Sequence, residues 1–145
     1  FLLEEVGEPL GCAPGVIYID LNVVCCIVEC VPDKLATVLY HDLCHFHQVR
    51  LLTDIGVTPA DANYSGFVNA YAQQTQEGID FVEQTGWVLD GSSWSKPSPE
   101  ANWTQWSNPL EDAANFCAHW YGGDRGALEQ DVPIRYEWAQ DWLPE

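Results

Sequence analysis

The spacing of apolar residues changes once within the first third of the chain. Residues 16 to 24 form an apolar, β-branched run between Pro14-Gly15 and a pair of cysteines, which predicts the main strand. After residue 32 the apolar residues recur every three or four positions, with Asp33 as a candidate N-cap. These residues are Leu35, Leu39, Leu43 and Phe46. The pattern predicts a helix that runs to about Leu52.

A second helix and a long loop are predicted in the middle of the chain. Thr58 and Pro59 suit the N-cap and the first position of this helix. Its apolar stripe consists of Ala60, Tyr64, Phe67 and Tyr71. Residues 86 to 106 are rich in Gly, Ser and Pro and predict a long loop, of the kind that often borders a functional site.

Asn108 and Pro109 open a third predicted helix, in which Glu111 occupies the capping-box position. The helix is expected to end at Gly122-Gly123. The tail is too aromatic to remain in solvent, so we expect it to pack on the body of the protein through Tyr136, Trp138 and Trp142. These elements predict one α+β domain over residues 1 to 145, with a small sheet packed on the first helix and two or three further helices.

The cysteine count indicates a disulfide-stabilised, secreted protein. The chain has six cysteines and no C-x-x-C pair, which favours disulfides over a thiolate zinc site. Two N-x-[ST] sequons, at Asn63 and Asn102, agree with a secreted glycoprotein. For Cys44 we expect a partner among the N-terminal cysteines, because Cys117 lies on a different side of its predicted helix from Glu111.

The charge of the chain excludes several classes of partner. Five Lys and Arg against 22 Asp and Glu give a net charge of -17, which repels nucleic acid and anionic lipid surfaces. The sequence contains no apolar run of about 18 residues that could span a bilayer. No basic leader opens it, so we expect any signal peptide to have been removed. We therefore expect a secreted monomer that has neither nucleic acid nor membrane as a partner.

The run Tyr40-His41-Asp42-Leu43-Cys44-His45 is the candidate centre of the chemistry. On a helix, residues four apart lie about 40° apart around the axis, so His41 and His45 present their imidazoles on consecutive turns. The same geometry places this pair opposite the apolar stripe of the helix, which predicts that the histidines line a cleft. Two nitrogen ligands on one helix face predict a metal site.

Zinc requires a third protein ligand, and a catalytic zinc leaves its fourth position to water. Glu111 is the first candidate, because the polar stripe that it shares with Asn115 could meet the histidine face. Its capping-box position offers an equally good structural explanation. Three other residues remain open as the third ligand: Asp112, His119 and Glu77. The helical spacing of the histidines favours Zn²⁺ over iron and leaves copper as an alternative.

These residues resemble the zincin-like metallopeptidases, and specifically the gluzincin group. The H-[ED]-x-x-H helix corresponds to His41 to His45, and the following N-x-x-E-x-x-x-[DEN] helix to Asn108, Glu111 and Asn115. The resemblance covers residues 35 to 121 and is closest to small secreted microbial members assigned as peptidases. It implies a zincin-like domain with zinc on His41, His45 and Glu111, and with Asn115 orienting a ligand.

The resemblance also implies a zinc-dependent hydrolase, most simply an endopeptidase acting on a peptide or protein substrate. Asp42 would then be the catalytic base, although the group has Glu at that position and Asp is one methylene shorter. The oxyanion would be stabilised by one of His119, Tyr121 or Tyr136. Two alternatives are a secreted metal-binding protein without turnover, such as a zinc scavenger, allergen or effector, and a disulfide-stabilised binding domain without metal.

Overall fold

The computed structural model describes six helices, two pairs of short strands and the turns between several of them. The described residues are 2–4, 18–20, 32–58, 63–95, 100, 107–123 and 125–144. The strands are β1 (Leu2–Glu4), β2 (Tyr18–Asp20), β3 (Val88–Asp90) and β4 (Ser93–Ser95). The helices are α1 (Pro32–Asp54), α2 (Tyr64–Gln74), α3 (Gln76–Thr85), α4 (Pro109–Gly122), α5 (Arg125–Asp131) and α6 (Pro133–Trp142).

The strands form two separate two-stranded sheets. β1 and β2 pair in parallel, with Leu3 opposite Ile19, and β3 and β4 pair antiparallel, with Leu89 opposite Trp94. β2 lies within the predicted strand 16 to 24, whose other residues are outside the described ones. The chain is thus mostly helical with small sheets, in coarse agreement with the α+β prediction. The packing of the first sheet on α1 stays a prediction.

The boundary predicted for the second helix was wrong, because a different residue caps it. Asn63, and not Thr58, is the N-cap of α2, and its side chain accepts a hydrogen bond from Gly66 N. Pro59 lies outside the described residues. A second cap at Thr75 then begins α3, where Thr75 Oγ1 accepts from Gly78 N. A Cβ at Gly78 would collide with Tyr71 O, so this sharp bend between two helices requires glycine.

The predicted loop of residues 86 to 106 contains the β3–β4 hairpin, which the sequence analysis missed. Gly91 and Ser92 connect the two strands, and Gly91 has a φ of 62°. A positive φ at the first position of a two-residue loop is typical of a type II′ turn and favours glycine. The dipeptide Gly91-Ser92, a loop sequence typical of such turns, is the signal that could have predicted the hairpin.

Helix α1 is buried on the face that carries the histidines, which corrects the predicted orientation. Cys44, Gln48 and Leu52 are 4%, 3% and 0% exposed, whereas Leu43 of the predicted apolar stripe is 44% exposed. α1 makes its most extensive described contacts with α4, and this face lies at that contact. The prediction failed because each polar group on the face has a partner across the helix contact, which removes most of the cost of burying it.

Cys44 forms a disulfide with Cys117, with the two Cα atoms 6.2 Å apart, so the expected pairing with an N-terminal cysteine was wrong. Residues 111 and 117 lie about 120° apart around a helix, which suggested that they could not face the same partner. The contact between α1 and α4 is wide enough to include both. Ala114, at 0% exposed, lies between Glu111 and Cys117 around the axis of α4.

The aromatic tail packs on the body, as predicted. Trp138 of α6 is 0% exposed and contacts the rings of Phe81 and Phe116, with centroids 4.8 Å and 6.5 Å away. Beside it, Arg135 is fully buried and donates to Asp112 Oδ2 over 2.6 Å and to Glu100 Oε2 over 2.8 Å. In the described part of the chain, no helix is both long and apolar enough to cross a membrane.

Candidate metal centre

Two helices bring three potential metal ligands together. His41 and His45 lie on consecutive turns of α1, and Glu111 lies in the first turn of α4. His41 Nε2 and His45 Nε2 are 3.0 Å apart, and Glu111 Oε2 is 3.3 Å from the first and 3.2 Å from the second. Among the described residues this is the group of His, Cys, Asp or Glu side chains that could hold a metal ion.

The triangle formed by these three atoms has the size of one face of a tetrahedral zinc site. Zinc ligands at about 2.0 to 2.1 Å from the ion are about 3.3 Å from one another in a tetrahedron. The separations of 3.0, 3.2 and 3.3 Å leave a point about 2.1 Å from all three atoms and about 1 Å out of their plane. The geometry therefore fits one ion held by three protein atoms.

Gln48 determines which nitrogen of His45 is available to an ion. Gln48 Nε2 donates to Leu110 O over 2.9 Å, so the amide oxygen is the atom that faces His45 Nδ1, at 2.8 Å. A carbonyl oxygen only accepts, so Nδ1 of His45 carries the hydrogen. In the neutral imidazole, Nε2 then presents its lone pair to Glu111 Oε2, which is also an acceptor. Two converging acceptors require a cation or a proton between them.

Tyr64 and Asn108 hold the other oxygen of Glu111. Tyr64 OH donates to Glu111 Oε1 over 2.7 Å, and Asn108 Nδ2 donates to the Tyr64 oxygen over 3.0 Å. Asn108 Oδ1 accepts from Glu111 N over 3.1 Å, which confirms Asn108 as the cap of α4. The Glu111 carboxylate itself is directed to Tyr64 and the histidines. One oxygen is thereby left to face the site.

The carboxylate and the imidazoles strengthen each other's charged forms. Burial disfavours the ionised form of Glu111, but hydrogen bonds from His41 and His45 outweigh it and hold the pKa of Glu111 well below its usual range. Burial lowers the pKa of His45, but the hydrogen bond and the charge of Glu111, with smaller contributions from Gln48 and Asp42, outweigh burial, so the pKa is raised. Burial and the hydrogen bond to Glu111 raise the pKa of Tyr64 to about 12. Glu111 is therefore favoured as the ionised carboxylate, which can hold a proton or a metal cation between itself and the imidazoles.

No protein family, characterised protein or solved structure matches this chain. The candidate site is therefore interpreted from its own geometry and chemistry.

The residues proposed as alternatives to Glu111 lie elsewhere. Asp112 is 0% exposed and is bound by Arg135 and by Trp87 Nε1, at 2.9 Å. Glu77 is 3% exposed and pairs with His47, with Glu77 Oε2 2.6 Å from His47 Nε2. His119 lies about two turns beyond Glu111 on α4, and burial lowers the pKa of its imidazole. Each of these side chains stands outside the cluster of His41, His45 and Glu111.

Several residues with a predicted catalytic or ligand-orienting role make no described contact with the triad. Asp42 is half-buried on α1 between the two histidines, and Asn115 is half-buried one turn beyond Glu111. In place of Asn115, it is Tyr64 that holds the second oxygen of Glu111. The oxyanion candidates Tyr121 and Tyr136 belong to the other end of α4 and to α6.

The contacts of Gln48, Tyr64 and Asn108 around the ligands were not predicted from the sequence. Gln48 follows His45 by three residues on the same helix face, and this spacing was an available signal. Nothing local indicates that Tyr64, 47 residues before Glu111, reaches its carboxylate.

A cavity of about 190 Å³ opens beside the triad. It is lined by His45, Gln48, Val49, Tyr64, Phe67, Leu110 and Glu111. Two members of the triad thus border a space with a predominantly apolar lining, where a small apolar part of a ligand can approach them.

Proposed function

We propose that His41, His45 and Glu111 hold a zinc ion and that the protein is a secreted zinc-dependent hydrolase of the zincin-like type. The observation that carries the proposal is the triangle of 3.0, 3.2 and 3.3 Å between the three ligand atoms. Two imidazoles and one carboxylate are the ligand set of catalytic zinc sites that keep a fourth position open. Nitrogen and carboxylate ligands at tetrahedral spacing favour zinc over the larger, oxygen-bound Ca²⁺.

The surroundings of the site support hydrolysis. Zinc held in this way supplies a Lewis acid that polarises a carbonyl and makes water more acidic. The cavity beside His45 and Glu111 gives a substrate side chain access to the site, and a peptide is the proposed substrate. Asp42, on the same helix as both histidines, is the proposed base that accepts a proton from the attacking water.

The chain's own polar groups would keep the ligands in position during turnover. Gln48 holds His45 through Nδ1, and Tyr64 holds Glu111 through Oε1. Fixed ligands of this kind maintain metal affinity and activity, and outer partners of this type are typically worth about 10- to 100-fold. The disulfide between Cys44 and Cys117 agrees with the proposed secretion, because disulfides persist in oxidising compartments.

A second function, a secreted metal-binding protein without turnover, is favoured by one observation. The residue between the histidines is Asp42, whose carboxylate is about 1 Å or more farther from a bound water than that of a glutamate. Under this alternative, the triad and its partners bind zinc as tightly as they would in the proposed hydrolase, and no substrate is cleaved.

Metal analysis tests the shared part of both functions. The purified parent, after incubation with zinc and removal of excess metal, is expected to contain one zinc per chain by elemental analysis. The double variant His41→Ala, His45→Ala is expected to contain none, and His119→Gln serves as a matched histidine loss that retains the metal. A parent that takes up no stoichiometric zinc would overturn both functions.

Peptide hydrolysis separates the two functions. The zinc-loaded parent is expected to cleave an unfolded protein substrate, and a chelator and Asp42→Asn are each expected to abolish the cleavage. Glu83→Gln removes an exposed acid on α3 and is the control for loss of a charge. A zinc-loaded parent with no activity above that of Asp42→Asn would leave metal binding as the function.

A further inference from the structure

A second cavity shares the side chain of Tyr64 with the cavity beside the triad. Its volume is about 290 Å³, near the lower end of the range of about 300 to 1,000 Å³ that is typical of small-ligand pockets. Helix α2, the β3–β4 hairpin and the start of α4 form its walls. Tyr64 lines both cavities, and its hydroxyl donates to Glu111. A ligand in the second cavity therefore lies one side chain away from the candidate metal centre.

The lining of this second cavity is polar and uncharged. None of the described residues that line it is Lys, Arg, His, Asp or Glu. We call it the polar pocket, because two amides and four serine hydroxyls line it beside the aromatic rings of Tyr64 and Trp94. These polar residues are Asn69, Asn108, Ser65, Ser92, Ser93 and Ser107. A few convergent polar groups beside aromatic surface are typical of a binding site that selects its ligand by hydrogen bonding.

The two asparagines are oriented by hydrogen bonds to their oxygens. Trp94 Nε1 donates to Asn69 Oδ1 over 3.0 Å, and Glu111 N donates to Asn108 Oδ1 over 3.1 Å. An amide whose oxygen accepts in this way has its N–H groups for other partners. Asn108 uses one N–H for the Tyr64 oxygen, at 3.0 Å. The asparagines therefore offer N–H donors to a ligand, whereas the serine hydroxyls can rotate to donate or to accept.

We propose that the polar pocket binds an uncharged carboxamide side chain, that of Asn or Gln, in a peptide substrate. The proposal rests on the proposed function, because it names a substrate class for that site. The carboxamide oxygen accepts from the asparagine N–H groups, and its NH₂ group donates to the serine hydroxyls. The adjoining cavity, whose lining is predominantly apolar, takes an apolar side chain of the same peptide.

Charge distinguishes a carboxamide from a carboxylate, which is also a good acceptor. The described lining supplies no cation to a bound carboxylate, and the Glu111 carboxylate lies one hydrogen bond away through Tyr64. The net charge of -17 repels an acidic ligand as well. An apolar side chain of similar size, such as that of Leu, would leave the asparagine donors without a partner in the complex. Gln is therefore favoured over both Glu and Leu.

Binding of small probes to the metal-free protein is the direct test. The probes are the acetylated methylamides of glutamine, glutamate and leucine, titrated at about pH 7.5, where the glutamate side chain is ionised. The indole N–H signal of Trp94 in NMR spectra, assigned with Trp94→Phe, reports occupation of the pocket. The glutamine probe is expected to bind about 10-fold more tightly than either of the others. Equal or tighter binding of another probe, or no shift of the Trp94 signal, would overturn the proposal.

Asn69→Asp tests the proposed donor with little change of shape. The variant keeps an acceptor for Trp94 Nε1 and replaces the N–H groups by a carboxylate oxygen. It is expected to weaken binding of the glutamine probe about 10-fold. Gln84→Glu makes the same change from amide to carboxylate at an exposed position of α3 and is the matched control. Equal binding by these two variants would contradict the role of Asn69. Should Asn69→Asp fail to fold, the three probes on the parent decide the proposal.

An amide can also come from an amino sugar, and a further probe distinguishes this source. N-Acetylglucosamine carries its amide on a ring of hydroxyl groups. We expect it to bind more weakly than the glutamine probe, because the site is proposed to act on peptides. Tighter binding of the sugar would overturn the assignment to a peptide side chain.

The readouts separate this proposal from that of a zinc hydrolase. A metal-free protein that prefers the glutamine probe, but whose zinc-loaded form cleaves no peptide, would overturn the proposed hydrolase and leave the carboxamide pocket. A zinc-loaded protein that digests an unfolded protein with no preference for Asn or Gln near the cleaved bond would overturn the pocket assignment and leave the hydrolase.

Discussion

Cys44 and Cys117 join the two helices that supply the three candidate ligands. Their disulfide links α1, between His41 and His45, to α4, two turns beyond Glu111. The relative placement of the triad thus has a covalent restraint in addition to the helix packing. This restraint acts on ligands that are 66 and 70 residues apart in sequence.

Removing this disulfide is expected to lower the free energy of unfolding. The bridge closes a segment with a sequence separation of 73, for which loop-closure entropy gives a cost of about 4 kcal/mol. The double variant Cys44→Ala, Cys117→Ala tests this by urea unfolding against the parent. A free energy within about 0.5 kcal/mol of the parent would show that the disulfide adds nothing to stability.

Tyr64→Phe is expected to weaken zinc binding without affecting the fold. The substitution removes the hydrogen bond to Glu111 Oε1, and partners of this kind typically contribute about 10-fold or more to affinity. Because Tyr64 is 58% exposed, little packing is lost. Zinc affinity is measured by chelator competition, with Tyr121→Phe, another partly exposed phenol, as the control. Equal affinities for the two variants would contradict the role of Tyr64.

Arg135→Met is expected to destabilise the protein by about 3 to 5 kcal/mol, because it leaves Asp112 buried without its cation. Asp112 is 0% exposed, so its carboxylate has no access to water. Arg50→Met is the control, since Arg50 is exposed on α1 and its loss is expected to change stability by less than about 0.5 kcal/mol. Urea unfolding that gives the same change for both variants would contradict the importance of the buried pair.

His119 is expected to reduce the stability of the folded protein as the pH decreases. Burial lowers the pKa of His119 in the folded state, so the unfolded chain binds a proton more readily. Folding is therefore opposed as the pH falls below about 6.5, the ordinary imidazole pKa, toward the lowered value. Unfolding free energies of the parent and His119→Asn, measured from pH 8 to pH 5, are expected to diverge at the acidic end. Parallel curves would rule out this contribution.

Features that depend on neighbours along the chain were predictable. His41 and His45 lie side by side because their spacing matches the helical repeat, whatever α1 packs against. Asn108 and Pro109 begin α4 because a cap satisfies amide groups within three residues of itself. The aromatic tail had to be buried because of its apolar area. Glu111 could be named as a candidate ligand, but its capping-box position was an equally good explanation.

The tertiary structure alone decided which partners these residues have. Whether the histidine face of α1 is buried depends on hydrogen-bond donors and acceptors from other segments of the chain. The apolar pattern of α1 does not contain that information, and Leu43, which belongs to this pattern, is exposed in the structure. The pairing of Cys44 and the contact of Tyr64 with Glu111 depend on how helices far apart in sequence cross. The sequence determined a pair of imidazoles on one helix face, because helical periodicity is local. The packing of α1 against α4 determined the triad, because it brings in the carboxylate from another segment.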